Sequence, residues 1–502
     1  MTTTDHPAPR LGANTGIGQA PINRWRAFAL LVVAFFMVVV DLTIVNTALP
    51  TIGRDLHFSA TNLQWVVTAY ALTFGGFLLL GGRAADLLGR RRVLMAGLGV
   101  FAGASLACAL ATGDGFLIGA RAVQGIGAAV MVPASLSIVM NMFEEGAERN
   151  KALGIWGAIA ASGATVGLVA GGLLTRYAGW QYIFYLNVPI AIATVVLASR
   201  TVPESRLTTA RPRFDALGAV VGTGGIVALV YAISQAPQYG WTAPRTVAVL
   251  AAAAALLVAF LVIESRTKDP ILPLSIFRLR SLAGANVAGL LVGGSFFAFF
   301  FVGTLYMQQV LHYSALQSGV AWLATSITSV ALAGLSQYLV TRVGPKVVMA
   351  IGMTLIGAGV LWATQVPVHG RYLSNLFGPL LVAGAGTAFA FIPISIAALA
   401  GVEEQQAGLA SGLLNTSQQV GGAIGIAIAS SVAASHTQAL LRAGHAAPPA
   451  LTGGFQQALW VLGGIGLLAV PAIFALVRRE AASTAVANTS VRNPQPARAA
   501  TS

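Results

Sequence analysis

Long apolar runs separated by short basic loops dominate this chain. The first, RAFALLVVAFFMVVVDLTIVNTAL over 26–49, is long enough to span a bilayer at about 1.5 Å per residue. Thirteen further runs follow at 62–82, 93–112, 116–142, 151–175, 181–200, 215–236, 245–264, 281–308, 316–340, 346–366, 374–400, 406–433 and 455–477. The pattern predicts an all-α polytopic membrane protein with 14 transmembrane helices.

The runs repeat. Gly154, Gly167 and Gly171 recur as Gly408, Gly421 and Gly425, each 254 residues later. DLLGRRRVLMAG (86–97) is echoed by TRVGPKVVMAIG (341–352), and GIGAAVMVP (125–133) by GAGTAFAFIP (384–393). These echoes pair spans three to five with spans eleven to thirteen, which predicts two six-helix pseudo-repeated halves plus two inserted central helices. The expected organisation is a cytoplasmic tail at 1–25, an N-terminal half at 26–200, inserted helices and linkers at 201–280, a C-terminal half at 281–478 and a second tail at 479–502. Parallel repeats of this kind place a substrate site between the halves near the midplane. The tails are rich in Thr, Ala, Pro, Asn and Ser, a composition that favours disorder.

Composition agrees with a membrane protein. The 502 residues are 56% hydrophobic and 9% charged, with mean hydropathy +0.78. A net charge of +14 would suggest nucleic acid in a soluble protein. Here the basic residues alternate loop by loop instead. With the N-terminus inside, twenty-three of the 29 Lys and Arg residues fall in inner loops and tails and five in outer loops, with Arg121 left in the membrane. That is the positive-inside pattern, so both termini are expected in the cytoplasm and no nucleic-acid partner is expected. The single cysteine, Cys108, lies in an apolar segment and leaves no intramolecular disulfide or thiolate metal site.

Two charges stand inside the apolar runs. Asp41 lies eight residues from the outer end of span one, about 12 Å in, and Arg121 about 8 Å into span four. The spans are antiparallel, so the two lie at similar depth. Burying an ionised Asp at membrane depth costs at least ~2.5–3.5 kcal/mol, and such residues face a cavity or pair with each other. A guanidinium beside the carboxylate favours its ionised form, and withdrawal of the guanidinium favours protonation. Asp41 and Arg121 therefore suit a proton switch, or alternatively a static pair that fixes helix packing. Asp114, Asp215 and Glu264 sit at span ends, and the histidines in tails, loops or span termini.

The remaining motifs bear on gating and the cavity. In GGRAADLLGRRRVL (81–94), Gly82 and Gly89 suit a tight turn, while Asp86 with Arg90, Arg91 and Arg92 can lock adjacent helices by charge pairing. The bland alternative is that the arginines only set topology. Gly163, Gly167 and Gly171 line span five with small-xxx-small spacing, with Gly172 directly after them, for packing alone or for gating. Cavity candidates are Asn46, Tyr70 and Gln124, together with Asn415 and Gln418, which share a helical face with Ser411. That face lines a cavity or bonds to neighbouring helices. The aromatics of SFFAFFF (295–301) are a binding wall or packing. No GxxxxGK[ST] loop, metal-ligand spacing or nucleophile–base pair is present in the sequence. Neither an enzyme nor a cofactor or metal is expected, and energy must come from an ion gradient.

Taken together these residues resemble the major facilitator superfamily, in particular its fourteen-helix drug:proton antiporter branch, over roughly 26–478. GGRAADLLGRRR resembles the signature loop between helices two and three. DLTIVNTALP (41–50) resembles the first-helix motif, with Asp41 at the acidic position. RAVQGIGAA (121–129) resembles the fourth-helix motif, with Arg121 tied to proton coupling, and WQYIFYLNVPI (180–190) also fits the branch. One departure stands in helix five, where Leu168 replaces the motif's proline. The resemblance implies proton-driven efflux of amphipathic drugs or antibiotics across the inner membrane by a monomer. A proton-coupled nutrient importer and a transporter-like sensor are the competing readings.

Overall fold

The computed structural model describes residues 24–59, 62–143, 147–202, 204, 216–267, 270, 272, 278–402 and 407–477. The terminal tails and the disorder expected of them lie outside the described residues, as do most of the linkers around 203–215 and 268–277. The described chain is a helical bundle. Its long helices are α1 (Arg24–Asp55), α2 (Trp65–Leu88), α3 (Arg90–Ala109), α4 (Asp114–Met142) and α5 (Ala147–Tyr177), then α6 (Tyr182–Thr201), α7 (Ala216–Tyr239) and α8 (Pro244–Arg266). They continue as α9 (Arg280–Gln309), α10 (Ala315–Val343), α11 (Pro345–Gln365) and α12 (Tyr372–Leu399), and end with α13 (Ala407–Arg442) and α14 (Ala447–Leu476). Thirteen are long and apolar enough to cross a membrane. α5, at 31 residues, is about 46 Å long and runs through the same bundle against α1 and α10.

Helix ends differ from the apolar runs where polar sequence is still a good helix former. α13 continues through SHTQALLR to Arg442 and α14 begins at Ala447, so most of the loop expected over 434–454 is helical. From 434 to 449 the residues are half-buried or exposed, and their polar side chains cost little as helix. α1 likewise runs through Pro50 to Asp55. A proline inside a helix lacks the N–H for the carbonyl four residues back and crowds that carbonyl, here that of Asn46, yet α1 continues one more turn past it.

The echoed glycines make similar contacts. In the first half, Gly167 of α5 lies on the Val40 carbonyl of α1 and Gly171 on the Ile44 carbonyl. In the second, Gly421 of α13 lies on the Leu290 carbonyl of α9 and Gly425 on the Gly294 carbonyl. A side chain at any of these glycines would drive the helices apart. The α2–α3 and α10–α11 corners turn on Gly89 (φ 104°) and Gly344 (φ 83°), a region that L side chains rarely adopt.

α7 covers the seam where the halves meet along α2 and α13. Thr223 of α7 packs on Gly76 of α2, and Val230 clusters with Leu72 of α2 and Ala423 of α13. α8 packs on α7 and turns Val247, Val258 and Leu261 outward. The halves also close at the end of the bundle away from the termini. There Gly172 of α5 meets Leu316 of α10, Gly319 of α10 meets the Leu168 carbonyl, and Gln308 Nε2 donates to the Thr47 carbonyl at 3.0 Å.

Candidate functional site

The two intramembrane charges meet. Arg121 Nη1 lies 2.6 Å from Asp41 Oδ2, with Asp41 0% and Arg121 1% exposed. A buried pair depends on hydrogen bonds to its remaining donors and acceptors, and several are made here, while the Tyr70 hydroxyl beside it has no partner among the described residues. Asp41 Oδ1 accepts from Gln124 Nε2 at 2.9 Å and from Asn187 Nδ2 at 2.9 Å. Arg121 Nε donates to the Val66 carbonyl at 2.9 Å, and Nη1 also to Gln124 Oε1 at 2.6 Å. Gln124 Nε2 reaches Ser105 Oγ at 2.8 Å. The guanidinium carbon sits 4.2 Å from the centre of the Tyr70 ring and 5.6 Å from that of Phe184, a cation–π arrangement that suits a desolvated cation. Five helices, α1, α2, α3, α4 and α6, thus converge on one carboxylate.

A separate cavity of about 250 Å³ lies between the halves. On the first half its wall includes Val39, Leu42, Thr43 and Asn46 of α1; on the second, Phe296, Phe297, Phe300, Trp322 and Gln419. Among the described residues no lining side chain is charged. The α1 contribution follows i, i+3, i+4, i+7, one face of the helix. Asp41 leaves α1 on another face and does not line the cavity. α1 is therefore a shared wall, with the ion pair on one side and the cavity on the other. A five-residue π turn at Gly293–Phe297 in α9 re-aims the run SFFAFFF, so that Phe296, Phe297 and Phe300 face the cavity while Phe299 and Phe301 are core. The run is thus divided between a cavity wall (Phe296, Phe297 and Phe300) and core packing (Phe299 and Phe301).

The cavity candidates divide. Asn46 lines the cavity. Tyr70 and Gln124 do not, because their faces of α2 and α4 turn toward the Asp41 cluster. Asn415 and Gln418 are also absent from the lining. Asn415 is exposed and bonds back to the Ser411 carbonyl at 3.0 Å, and Gln418 packs by Gly289 of α9. Gln419, one residue on, lines the cavity instead. A single position turns a helical side chain by about 100°, which sequence spacing alone does not fix.

The α2–α3 corner is pinned by an acid outside the motif. Glu204, just past α6, lies 3.8 Å from Arg91 Nε and 3.7 Å from Arg92 Nε, and its Oε1 accepts from the Arg91 backbone N–H at 3.1 Å. Arg91 Nη1 donates to the Val202 carbonyl at 3.2 Å. This ties α3 to the end of α6 within one half. The Asp86 side chain lies outside the described residues, and Arg90 is buried. Gly82 has ordinary room beside Pro133, whereas its neighbour Gly81 is pressed against the Ala129 carbonyl. In α5, Gly163 meets Val39 and Phe36 of α1, and Gly172 meets α10. Leu168, where the motif has proline, leaves α5 uninterrupted and lines the cavity.

Asn187 was not singled out from the sequence, although it lies within WQYIFYLNVPI. Its signal was the Pro189 beside it. That proline has no N–H for the Tyr185 carbonyl, and α6 is interrupted at Leu186, between Tyr182–Tyr185 and Asn187–Thr201. Ser105, in an apolar stretch of α3, gave no signal.

The Major Facilitator Superfamily model matches residues 31–426. The chain is similar to the puromycin resistance protein pur8 of Streptomyces alboniger, 38% identical over 485 residues and covering 95% of each. It is also similar to the cephamycin export protein CmcT of Amycolatopsis lactamdurans, 37% identical over 432 residues, 85% of this chain and 89% of that one. Among solved structures, the POT family transporter PepTSo shares the fold with a TM-score of 0.65 at 14% identity, over 93% of this chain and 99% of that one. A family match across most of the helices, with relatives above a third identical along nearly the whole length, establishes that this chain belongs to the Major Facilitator Superfamily.

Proposed function

We propose that this chain is a proton-driven exporter of amphipathic drugs or antibiotics that confers resistance, and that it acts as a transporter and not an enzyme. The observation that carries the coupling is the shared wall: α1 bears the Asp41–Arg121 pair on one face and Val39, Leu42, Thr43 and Asn46 of the uncharged cavity on another. The names of the relatives, a resistance protein and an export protein, favour export over uptake. The loop distribution of Lys and Arg puts both termini in the cytoplasm, so the halves, packed together at the far end, leave substrate to enter from the cytoplasmic side or inner leaflet. Residues 26–200 and 281–478 rock about the cavity as a monomer, with the inserted helices between them in sequence. Asp41 takes a proton from outside in the outward-open state, when Arg121 has moved away, and releases it inside when the pair re-forms.

Growth inhibition of efflux-deficient bacteria by a panel of antibiotics and dyes tests this. Cells carrying the wild type should resist some of the panel, and cells carrying Asp41→Asn at matched expression should be as sensitive as empty-vector cells. Undiminished resistance with Asp41→Asn would remove the role given to Asp41 while leaving export standing. Greater sensitivity with the wild type would favour the importer.

A further inference from the structure

Asp41 is held by three side-chain donors, only one of them charged. Arg121 Nη1 contacts Oδ2, and Gln124 Nε2 and Asn187 Nδ2 both contact Oδ1. Gln124 shares α4 with Arg121 and also accepts from it at 2.6 Å, so a shift of α4 that withdraws the guanidinium carries Gln124 with it. Asn187 belongs to α6, which packs on α1 and α3. It is 3% exposed, its Nδ2 also lies 3.5 Å from Ser105 Oγ, and it stands where Pro189 interrupts the helix. We propose that Asn187 is a positioning residue for proton coupling, an α6 donor that stays with Asp41 when α4 moves and sets how readily the carboxylate takes its proton.

The sign follows from the donor. An N–H bond to a carboxylate oxygen stabilises the ionised form more than the protonated one. Removing Asn187 therefore lets Asp41 accept a proton at higher pH. The titratable groups facing Asp41 are Arg121 of α4, Tyr70 of α2 and Cys108 of α3, and a tyrosine or buried thiol carries no charge at neutral pH. α6 adds Tyr182 and Tyr185, which pair with each other. Between their ends, α5, α9 and α10 carry no acid, arginine, lysine or histidine.

This inference rests on Asp41 being the proton carrier, and the test separates the two. The full-length protein in lipid nanodiscs is titrated from about pH 4 to 10, following the carboxyl C=O stretch by infrared difference spectroscopy; the component lost in Asp41→Asn is assigned to Asp41. Asn187→Leu, with the same number of side-chain heavy atoms and no donor, should move its midpoint up by about one pH unit, the scale expected for one hydrogen bond to a charge. Asn187→Ala should do the same, and Asn187→Gln, which keeps an amide donor, should recover most of the shift. A midpoint unchanged or lowered in both donor-free variants would overturn the role of Asn187 while leaving the wild-type titration in place. A wild-type Asp41 that never titrates in this range contradicts the proton-carrier reading itself and the inference with it.

Discussion

At the scale of single residues, the determining fact is that a carboxylate and a guanidinium share a site without solvent. Removing one partner leaves the other as an unpaired buried charge, a loss of roughly 3–5 kcal/mol. Arg121→Leu should therefore lower the thermal stability of the detergent-purified protein markedly, while Asp41→Asn combined with Arg121→Leu should be less stable than wild type by much less than the two single effects added. Additive losses would mean that the pair contributes nothing as a pair. That these two residues belong together was legible in the sequence, because intramembrane charges need each other. The identity of the third and fourth partners was not. Asn187 and Gln124 are ordinary amides in sequence, and only the meeting of α1, α4 and α6 makes them donors to one oxygen.

At the scale of helices, the glycines of α5 measure how tightly the shared wall is held. A side chain at Gly167 would meet Thr43 Oγ1 and the Val40 carbonyl, on α1 beside Asp41. Gly167→Val should abolish resistance and lower stability, whereas Gly119→Ala on α4, with open space around it, should leave both unchanged; parallel drug-susceptibility and melting assays check the pair. The glycine spacing was visible in the sequence as small residues every fourth position. The apolar runs likewise marked the helices, because twenty apolar residues have few other uses. Helix ends and facing were less legible. α13 outruns its apolar run because SHTQALLR costs little as helix in water, and the cavity took Gln419 where spacing suggested Asn415 and Gln418, since facing is fixed by neighbours and not by period.

At the scale of the whole molecule, the cavity and the Asp41–Arg121 pair are separate sites joined by α1. Among the described residues the cavity is lined by aromatics and amides and by no charged side chain, so it offers a dication no compensation for its lost hydration. Neutral and singly charged amphipathic compounds should be exported and dications poorly, and strong resistance to a divalent cationic dye or biocide would contradict this. Because Asp41 does not line the cavity, Asp41→Asn should bind a drug from the resisted panel with an affinity within a few-fold of wild type, measured on purified protein, even though it no longer moves it. The most direct test of the account is proton flux. Purified protein is reconstituted into liposomes loaded with a pH-sensitive dye, and a drug to which the wild type confers resistance is applied as a gradient with no other driving force. The account predicts that the drug gradient drives protons in the opposite direction through the wild type and none through Asp41→Asn. Drug movement through the wild type with no proton movement, or equal proton movement through Asp41→Asn, would contradict it.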